Sequence, residues 1–276
     1  MKELILFDMD GTISDPRGHV CDEFISLLPE LSKRFLIGIV TGSHIKYIRE
    51  QASFLFHGSH QEVSYVPGDS DGSFGDILIF PCNGTQHYVS SETSSGSRVA
   101  NMVYSKNMIS EVGKDNYYEL IKIISKLQLD LLESSVIPVS GTFISFRGSM
   151  VNWCPIGRSA TDSDRLEFSK LDKDLDLRVG LVNKIKAYLD IWNISEIEIA
   201  LGGVTSLDIY PSGWDKTYCL PYIKTEYPDI ENIYFFGDKC LDGQNDCSIY
   251  RECYPNSFSV SSKEETVDIL KSKFII

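Results

Sequence analysis

The chain has little positive charge for its size. Its 276 residues include 26 Lys and Arg against 39 Asp and Glu, which gives a formal net charge of −13. Nucleic-acid binding needs a basic surface that neutralises phosphates, so this balance argues against a nucleic-acid partner. It also makes any group of arginines informative, because such a group would stand out in an acidic field.

Long apolar segments are missing as well. No run approaches the roughly 20 residues that a membrane-spanning helix needs, and the four apolar residues after Glu3 are too few for a secretory signal peptide. We therefore expect no membrane partner and a cytoplasmic location. The seven cysteines form no CxxC pair, and free thiols in a reducing compartment are the simpler interpretation.

Both ends of the chain alternate short apolar runs with segments of helical spacing. The first run ends in a polar loop, as buried parallel strands do, and strand–helix repeats with short loops are typical of a doubly wound α/β sheet. Near the C-terminus, Ser262 followed by Glu265 predicts the start of a final helix. The predicted strands and helices of this kind are 4–7, 21–33, 35–40, 45–55, 77–80, 214–223, 233–236 and 258–260.

The middle of the chain has a different pattern, in which hairpins alternate with charged helices. Hairpin turns are predicted at Gly148 and at Gly202, which follow alternating apolar segments. This pattern indicates an α+β domain with an antiparallel sheet. The simplest architecture is a mostly parallel α/β core domain, residues 1–85 with 213–276, and an inserted α+β domain, residues 86–212.

Two segments within this architecture are predicted to be loops. Residues 57–76 are rich in Gly and Asp, and residues 90–97 are rich in Ser, Thr and Gly. Both segments are longer than the connections that usually join elements of an α/β domain.

Asp8 and Asp10 stand two residues apart directly after the first apolar run. Open α/β sheets bind ligands at the carboxyl ends of their strands. Asp8 can attack phosphorus through one oxygen while the other binds Mg²⁺, and Asp10 can exchange a proton. Two acids in an ordinary loop are the alternative, but Gly11 and Thr12 complete a DxDGT motif that favours phosphoryl transfer.

Three further motifs lie at the ends of other predicted strands or helices: the loop with Ser43, Lys216, and the loop with Asp238 and Asp246. Ser43, close to Thr41, offers a hydroxyl and backbone amides to a phosphate oxygen. Lys216 can stabilise a transferring phosphoryl group, Asp238 can supply a second Mg²⁺ carboxylate, and Asp246 can support the site from behind. Each alone also fits a helix cap or a solvated surface. Their occurrence in order at the ends of elements favours a single phosphoryl-transfer site.

These motifs resemble the haloacid dehalogenase superfamily, and longer blocks are similar to the eukaryotic-type phosphomannomutases. The blocks occur in the family's order across most of the chain. They are FDMDGT at 7–12, GTFISFR at 141–147, PIGRS at 155–159, RLEF at 165–168, PSGWDK at 211–216 and YFFGDK at 234–239.

The resemblance implies interconversion of mannose 6-phosphate and mannose 1-phosphate through a hexose 1,6-bisphosphate, feeding GDP-mannose synthesis. It implies that Asp8 carries the phosphoryl group as an aspartyl phosphate and that Asp10 is the general acid and base. Mg²⁺ would be held by Asp8, by the backbone carbonyl of Asp10 and by Asp238. The inserted domain would be a cap through which the protein forms a homodimer.

The resemblance also implies a set of substrate-binding residues. The set is Arg17, Arg147, Arg158, Arg165, Ser206 and Asp208. A mutase must hold one phosphate while the other reacts, and the arginine guanidinium binds phosphate through a planar fork of donors. For any single arginine a surface ion pair is the alternative, for instance Arg165 with Asp162 or Asp164.

A second cation site is implied near the C-terminus, built from backbone carbonyls and one acid. Tyr250, Glu252 and Pro255 fall on it, and Pro255 replaces the family's hydroxyl residue. Two other functions stay open at this point: a hexose-phosphate phosphatase of the same superfamily and a non-catalytic phosphosugar-binding relative. The sequence does not decide between mannose and glucose, since these epimers differ in one hydroxyl.

Overall fold

The computed structural model describes residues 2–56, 74–134 and 136–275. The chain folds into two compact units. The first unit comprises Met1–Ser105 and Asp215–Ile276, and the second comprises Lys106–Trp214. The predicted crossing into the inserted domain after residue 85 therefore differs from the structure, which places it after Ser105. The reason is that residues 86–105 pair with the sheet of the first unit.

Strands and helices mostly alternate along the first unit, whereas the second unit combines two hairpins with helices. The strands are β1 (Lys2–Phe7), β2 (Phe35–Val40), β3 (Ile77–Phe80), β4 (Gln86–Glu92), β5 (Arg98–Ser105), β6 (Ile144–Phe146), β7 (Val151–Trp153), β8 (Ile197–Gly202), β9 (Ser206–Pro211), β10 (Ile230–Gly237) and β11 (Ser257–Ser259). The helices are α1 (Asp22–Leu31), α2 (Ile45–Gln51), α3 (Met108–Val112), α4 (Lys114–Ser134), α5 (Asp162–Leu175), α6 (Leu177–Ile191), α7 (Cys219–Glu226), α8 (Cys247–Glu252) and α9 (Lys263–Lys273).

The sheet of the first unit has the order β11-β10-β1-β2-β3-β4-β5. Strands β11 to β3 run parallel, and β4 and β5 are added antiparallel. β1 is buried on both faces because its apolar run contacts a separate core cluster on each side of the sheet. Gly38 in β2 lets β1 pack closely, since a Cβ there would lie 2.5 Å from Leu6 Cδ2.

The predicted loop over residues 90–97 is wrong at its start, because Ser90 to Glu92 belong to β4. Ser90 is buried and its Oγ donates to the Leu55 carbonyl at 2.7 Å. This tertiary hydrogen bond satisfies a hydroxyl that the composition alone assigns to solvent. Of the other predicted loop, residues 57–73 lie outside the described part of the chain.

The second unit contains a four-stranded antiparallel sheet of order β6-β7-β9-β8. Both predicted hairpins are present, β6–β7 and β8–β9. Trp153, Leu207 and Ile209 on this sheet pack against α4 and α6 in one core. The predicted fold class, a mostly parallel doubly wound sheet with an inserted α+β domain, is confirmed. In the described ranges no helix is both long and apolar enough to span a membrane.

Candidate active site

Three carboxylates converge at the carboxyl end of the parallel sheet. Asp8 follows β1 and Asp238 follows the adjacent β10, so strand pairing brings them together. Asp246 immediately precedes α8. One carboxylate oxygen from each of the three lies within 4.8 Å of the others. The predicted proximity of Asp8 and Asp238 is therefore present in the structure.

Lys216 lies between two of these acids and is fully buried. Its ammonium donates to Asp8 Oδ1 at 2.5 Å and also to Asp246 Oδ1. Burial acts to lower the pKa of Lys216, but Asp246 and Asp8 outweigh it and raise that pKa above its ordinary value. Lys216 is therefore a fixed cation in contact with one oxygen of Asp8.

Asp246 holds Lys216 in place and is itself anchored. Its Oδ2 accepts a hydrogen bond from the backbone amide of Lys239 at 3.0 Å, and its own amide donates to the Lys239 carbonyl at 3.0 Å. Burial and the neighbouring charge of Asp8 raise the pKa of Asp246 to about 6. The side chain thus orients the cation without pointing a free oxygen at a ligand.

Asp238 has the character of a cation ligand. Burial and the charge of Asp8 raise its pKa, and Lys239 opposes the shift through a 2.9 Å contact with Oδ2. Its Oδ1 is buried and has no hydrogen-bond partner among the described residues. Oxygen ligands from carboxylates are what Mg²⁺ prefers, so Asp8 and Asp238 fit the predicted metal site.

The carboxylate of Asp10 is held by two donors. Its Oδ1 accepts from Gln51 Nε2 at 2.7 Å and from the backbone amide of Arg17 at 2.8 Å. The side chain of Arg17, predicted to bind substrate, is exposed, and the backbone of this residue is what contacts Asp10. Gln51 was missed by the sequence analysis; the available signal is a polar residue three positions after the buried Ile48 of α2.

Gly11 is required where the loop after β1 approaches Asp238. Its φ is +86°, and a Cβ there would lie 2.5 Å from Asp238 Oδ2. A side chain at this position would meet both backbone strain and a clash with a proposed metal ligand.

Ser43 lies in the loop after β2, half-buried. Its amide donates to Thr41 Oγ1 at 3.1 Å, and its carbonyl accepts from the Cys82 amide at 3.1 Å. The amide predicted to bind phosphate is thus used within the loop in this structure. The first turn of α2 is capped by His44, whose Nδ1 accepts from the Lys46 amide at 3.2 Å. The role of the Ser43 hydroxyl stays a prediction.

In the second unit, Arg147 and Arg158 are linked through a buried amide and an acid. The Arg147 guanidinium lies 3.9 Å from Asp208 Oδ1. Asn152 Nδ2 donates to the same Asp208 oxygen at 2.7 Å. Arg158 Nη1 donates to Asn152 Oδ1 at 2.8 Å. The sequence analysis missed Asn152, which lies between Val151 and Trp153 in a buried strand.

Arg165 joins the same group. Its Nη2 donates to the Arg158 carbonyl at 2.9 Å and its Nη1 to Thr205 Oγ1 at 3.0 Å. The Asp164 carboxylate instead accepts from Thr161 and caps α5. Three arginines predicted to bind substrate thus form one connected group with Asp208. The geometry does not favour the alternative, an isolated surface ion pair of Arg165.

Ser206 and the C-terminal residues complete the predicted set. Ser206 Oγ donates to the Gly202 carbonyl at 2.8 Å, within the β8–β9 turn. Tyr250 and Glu252 lie on α8, and the Glu252 carboxylate is 3.9 Å from the Lys224 ammonium. Pro255 follows α8 closely. A cation site built from backbone carbonyls there stays a prediction.

Comparison with known proteins gives both sequence and structural relatives. The family model described as eukaryotic phosphomannomutase matches residues 24–276. A phosphomannomutase of Schizosaccharomyces pombe is 33% identical over 276 residues, covering 100% of this chain and 95% of the relative. One from Encephalitozoon cuniculi is 32% identical over 266 residues, covering 96% and 91%.

Solved structures show the same fold in more distant proteins. An IMP-bound Plasmodium falciparum IMP-nucleotidase variant aligns with a TM-score of 0.65 at 18% identity, covering 99% of this chain and 68% of that one. Aspergillus fumigatus trehalose-6-phosphate phosphatase aligns with a TM-score of 0.51 at 14% identity, covering 98% and 92%. At these identities the likeness establishes the fold alone.

Proposed function

The chain belongs to the eukaryotic phosphomannomutase family, and from that premise we propose that it is an isomerase that interconverts mannose 6-phosphate and mannose 1-phosphate. The observation that carries the proposal is the contact of the buried Lys216 ammonium with Asp8, at the carboxyl end of a parallel sheet. The product mannose 1-phosphate would feed GDP-mannose synthesis.

The reaction begins from Asp8 as an aspartyl phosphate, formed from a hexose 1,6-bisphosphate. The free hydroxyl of a mannose monophosphate attacks the phosphorus while Asp10 removes its proton, and the bond from phosphorus to Asp8 breaks. The mannose 1,6-bisphosphate then returns its other phosphoryl group to Asp8, and Asp10 protonates the departing sugar oxygen. Gln51 and the Arg17 amide support this role because they hold the Asp10 carboxylate.

Lys216 contributes electrostatic stabilisation in both directions. Its ammonium faces one Asp8 oxygen, which leaves the second oxygen of that carboxylate for bonding to phosphorus. As the bond to Asp8 breaks, negative charge returns to the carboxylate beside a cation that is already in place. Asp246 keeps the cation there.

Mg²⁺ is the proposed cofactor of this site. Asp8 and Asp238, with the backbone carbonyl of Asp10, would hold it, and when bound it supplies positive charge to the oxygens of the phosphoryl group. Asp238 Oδ1, which has no hydrogen-bond partner in the described part of the chain, and the mutual repulsion of the acids support this assignment.

Substrate recognition is proposed for the arginine group of the second unit. A mutase acts on two phosphates in turn, so the idle phosphate needs donors of its own. Arg147, Arg158 and Arg165 provide guanidinium forks for a phosphate, and Ser206 and Asp208 provide polar groups for sugar hydroxyls. Arg17 is proposed to add a further phosphate contact from the first unit.

Three proposals rest on family membership rather than on geometry. They are a homodimer formed through the second unit, a second cation near Tyr250, Glu252 and Pro255, and a cytoplasmic location. A sedimentation measurement tests the first directly. We expect small hexose phosphates, and neither nucleic acid nor membrane, as binding partners.

The test is incubation with mannose 1-phosphate, Mg²⁺ and a catalytic amount of glucose 1,6-bisphosphate. We expect mannose 6-phosphate to accumulate without equivalent release of inorganic phosphate. Release of phosphate without mannose 6-phosphate would instead make the protein a phosphatase, and no conversion at all would make it a non-catalytic relative. Glucose 1-phosphate assayed in parallel measures the preference between the two hexoses.

A further inference from the structure

The β8–β9 turn, residues 202–206, carries Thr205 and Ser206, and one side-chain hydrogen bond lies within it, from Ser206 Oγ to the Gly202 carbonyl at 2.8 Å. Gly203 has a φ of +52°, and a Cβ there would meet none of the described residues within 4 Å. The tip of the turn, Gly203 and Val204, is exposed, so hydrogen bonds rather than burial fix its backbone.

Arg178, on α6, donates hydrogen bonds to this turn. Its Nη1 donates to the carbonyls of Gly203 at 3.1 Å and Ser206 at 3.2 Å. Its Nε donates to Asp172 Oδ2 at 2.7 Å, and its backbone amide donates to Asp172 Oδ1 at 2.7 Å. The ion pair of Arg178 and Asp172 is largely buried. The Arg178 guanidinium therefore fixes the turn relative to the junction of α5 and α6.

Thr205 links the turn to the arginine group through a hydrogen bond with Arg165. The residue is 3% exposed, and its Oγ1 accepts from Arg165 Nη1 at 3.0 Å. The Cys154 Sγ lies 3.5 Å from the same oxygen. The Arg165 guanidinium is held by Thr205 in the turn, by the Arg158 carbonyl through Nη2 and by the Ala160 carbonyl, which accepts from Nε at 3.2 Å.

We propose that Thr205 and Arg178 are positioning residues for Arg165, and that they fix its guanidinium before a substrate phosphate binds. The inference rests on the proposed function, in which Arg165 contacts that phosphate. A pre-oriented arginine loses less side-chain freedom on binding, so the benefit falls on substrate affinity. Neither residue touches substrate in this scheme.

The test compares Thr205→Val, which keeps the shape of the side chain but removes the acceptor, with Thr205→Ser, which keeps the hydroxyl. We expect Thr205→Val to raise KM for mannose 1-phosphate about tenfold, equivalent to about 1.4 kcal/mol, with kcat within about twofold of wild type. Thr205→Ser should keep the wild-type KM. A merely structural role would reduce the folded fraction, and hence kcat, in both variants without changing KM.

Arg178→Met is the second variant, with Arg178→Lys as its conservative control. We expect Arg178→Met to raise KM as Thr205→Val does, and the double variant with Thr205→Val to add little, since both act on Arg165. An unchanged KM in Thr205→Val, or an equal rise in Thr205→Ser, would overturn the inference. Wild-type protein without mutase turnover would instead refute the proposed function, so the two failures are distinguishable.

Discussion

Lys216 is the residue on which the electrostatics of the site depend. Its ammonium is buried with Asp8 and Asp246 on either side, and all three are withdrawn from water. A buried charge is tolerated only when it is paired and hydrogen-bonded. Removing the lysine would therefore leave two facing carboxylates without a counter-charge, in addition to removing a group proposed for catalysis.

We expect Lys216→Met to lower the free energy of unfolding by about 3–5 kcal/mol at pH 7, because it leaves buried carboxylates unpaired. Urea denaturation in the presence of a chelator measures this effect without a bound metal. The double variant Lys216→Met with Asp246→Asn should recover part of the loss, since it removes one of the two charges. A double variant no more stable than the single one would contradict this account.

Residues next to strand ends could be predicted, whereas residues that act across the fold could not. Asp8 and Asp238 follow apolar runs, and that adjacency is visible in the sequence. Gln51 reaches Asp10 across 41 positions and Thr205 reaches Arg165 across 40. The sequence around Gln51 and Thr205 does not identify their partners, because only the tertiary packing of sheet, helix and turn brings each pair together.

At the scale of elements, the contact of β3 and β4 with α7 contains an unusual histidine. His87 on β4 is fully buried, and neither ring nitrogen has a partner among the described residues. Its ring stacks on Phe80 of β3 with centroids 4.5 Å apart and meets Tyr222 of α7 edge-on at 4.9 Å. Burial lowers the pKa of His87 from 6.5 to about 4.

This depressed pKa predicts acid sensitivity. Between pH 6.5 and about 4 the unfolded chain binds a proton at His87 that the folded protein excludes, so stability falls as pH falls through this window. The contribution reaches about 3 kcal/mol at the acid end. We expect His87→Phe to make the unfolding free energy flatter over this range in urea titrations. His19→Gln, at an exposed histidine, is the control, and a wild-type slope in His87→Phe would contradict the assignment.

Of the strands with continuous apolar runs, β2 and β3 were predicted to the residue, whereas β1 and β10 begin earlier than predicted, at Lys2 and Ile230. β4 and β5 were not predicted, because β4 is mostly polar and β5 is an edge strand whose Val99, Met102 and Val103 are exposed. Arg98 illustrates this, since its guanidinium is buried and donates to the carbonyls of Phe74 and Ser90. A charged residue at the start of a strand gives no sequence signal for such an environment. The domain boundary was misplaced for the same reason.

At the scale of the whole molecule, the net charge of −13 and the carboxylate cluster should make the protein responsive to divalent cations. A ligand that binds only the folded state stabilises it, by about 2.7 kcal/mol at a hundred times its Kd. We expect Mg²⁺ to raise the thermal unfolding midpoint of the wild-type protein.

The specificity of this effect can be tested with two variants. Asp238→Asn should lose most of the Mg²⁺-induced shift in the unfolding midpoint, because the substitution removes the negative charge of a proposed Mg²⁺ ligand. Asp242→Asn, which alters an exposed acid outside the cluster, should keep it. An equal shift in both variants would indicate general charge screening rather than a site at Asp8 and Asp238.

Asp8 is the residue proposed to carry the phosphoryl group between the two positions of the sugar. The most direct measurement is acid quenching of the protein after brief incubation with glucose 1,6-bisphosphate and Mg²⁺, followed by mass spectrometry of the peptide that contains Asp8. We expect phosphate on Asp8 in the wild type and none in a folded Asp8→Asn variant, which should also lack turnover. A phosphorylated residue other than Asp8, or turnover in Asp8→Asn equal to that of the wild type, would contradict this role of Asp8.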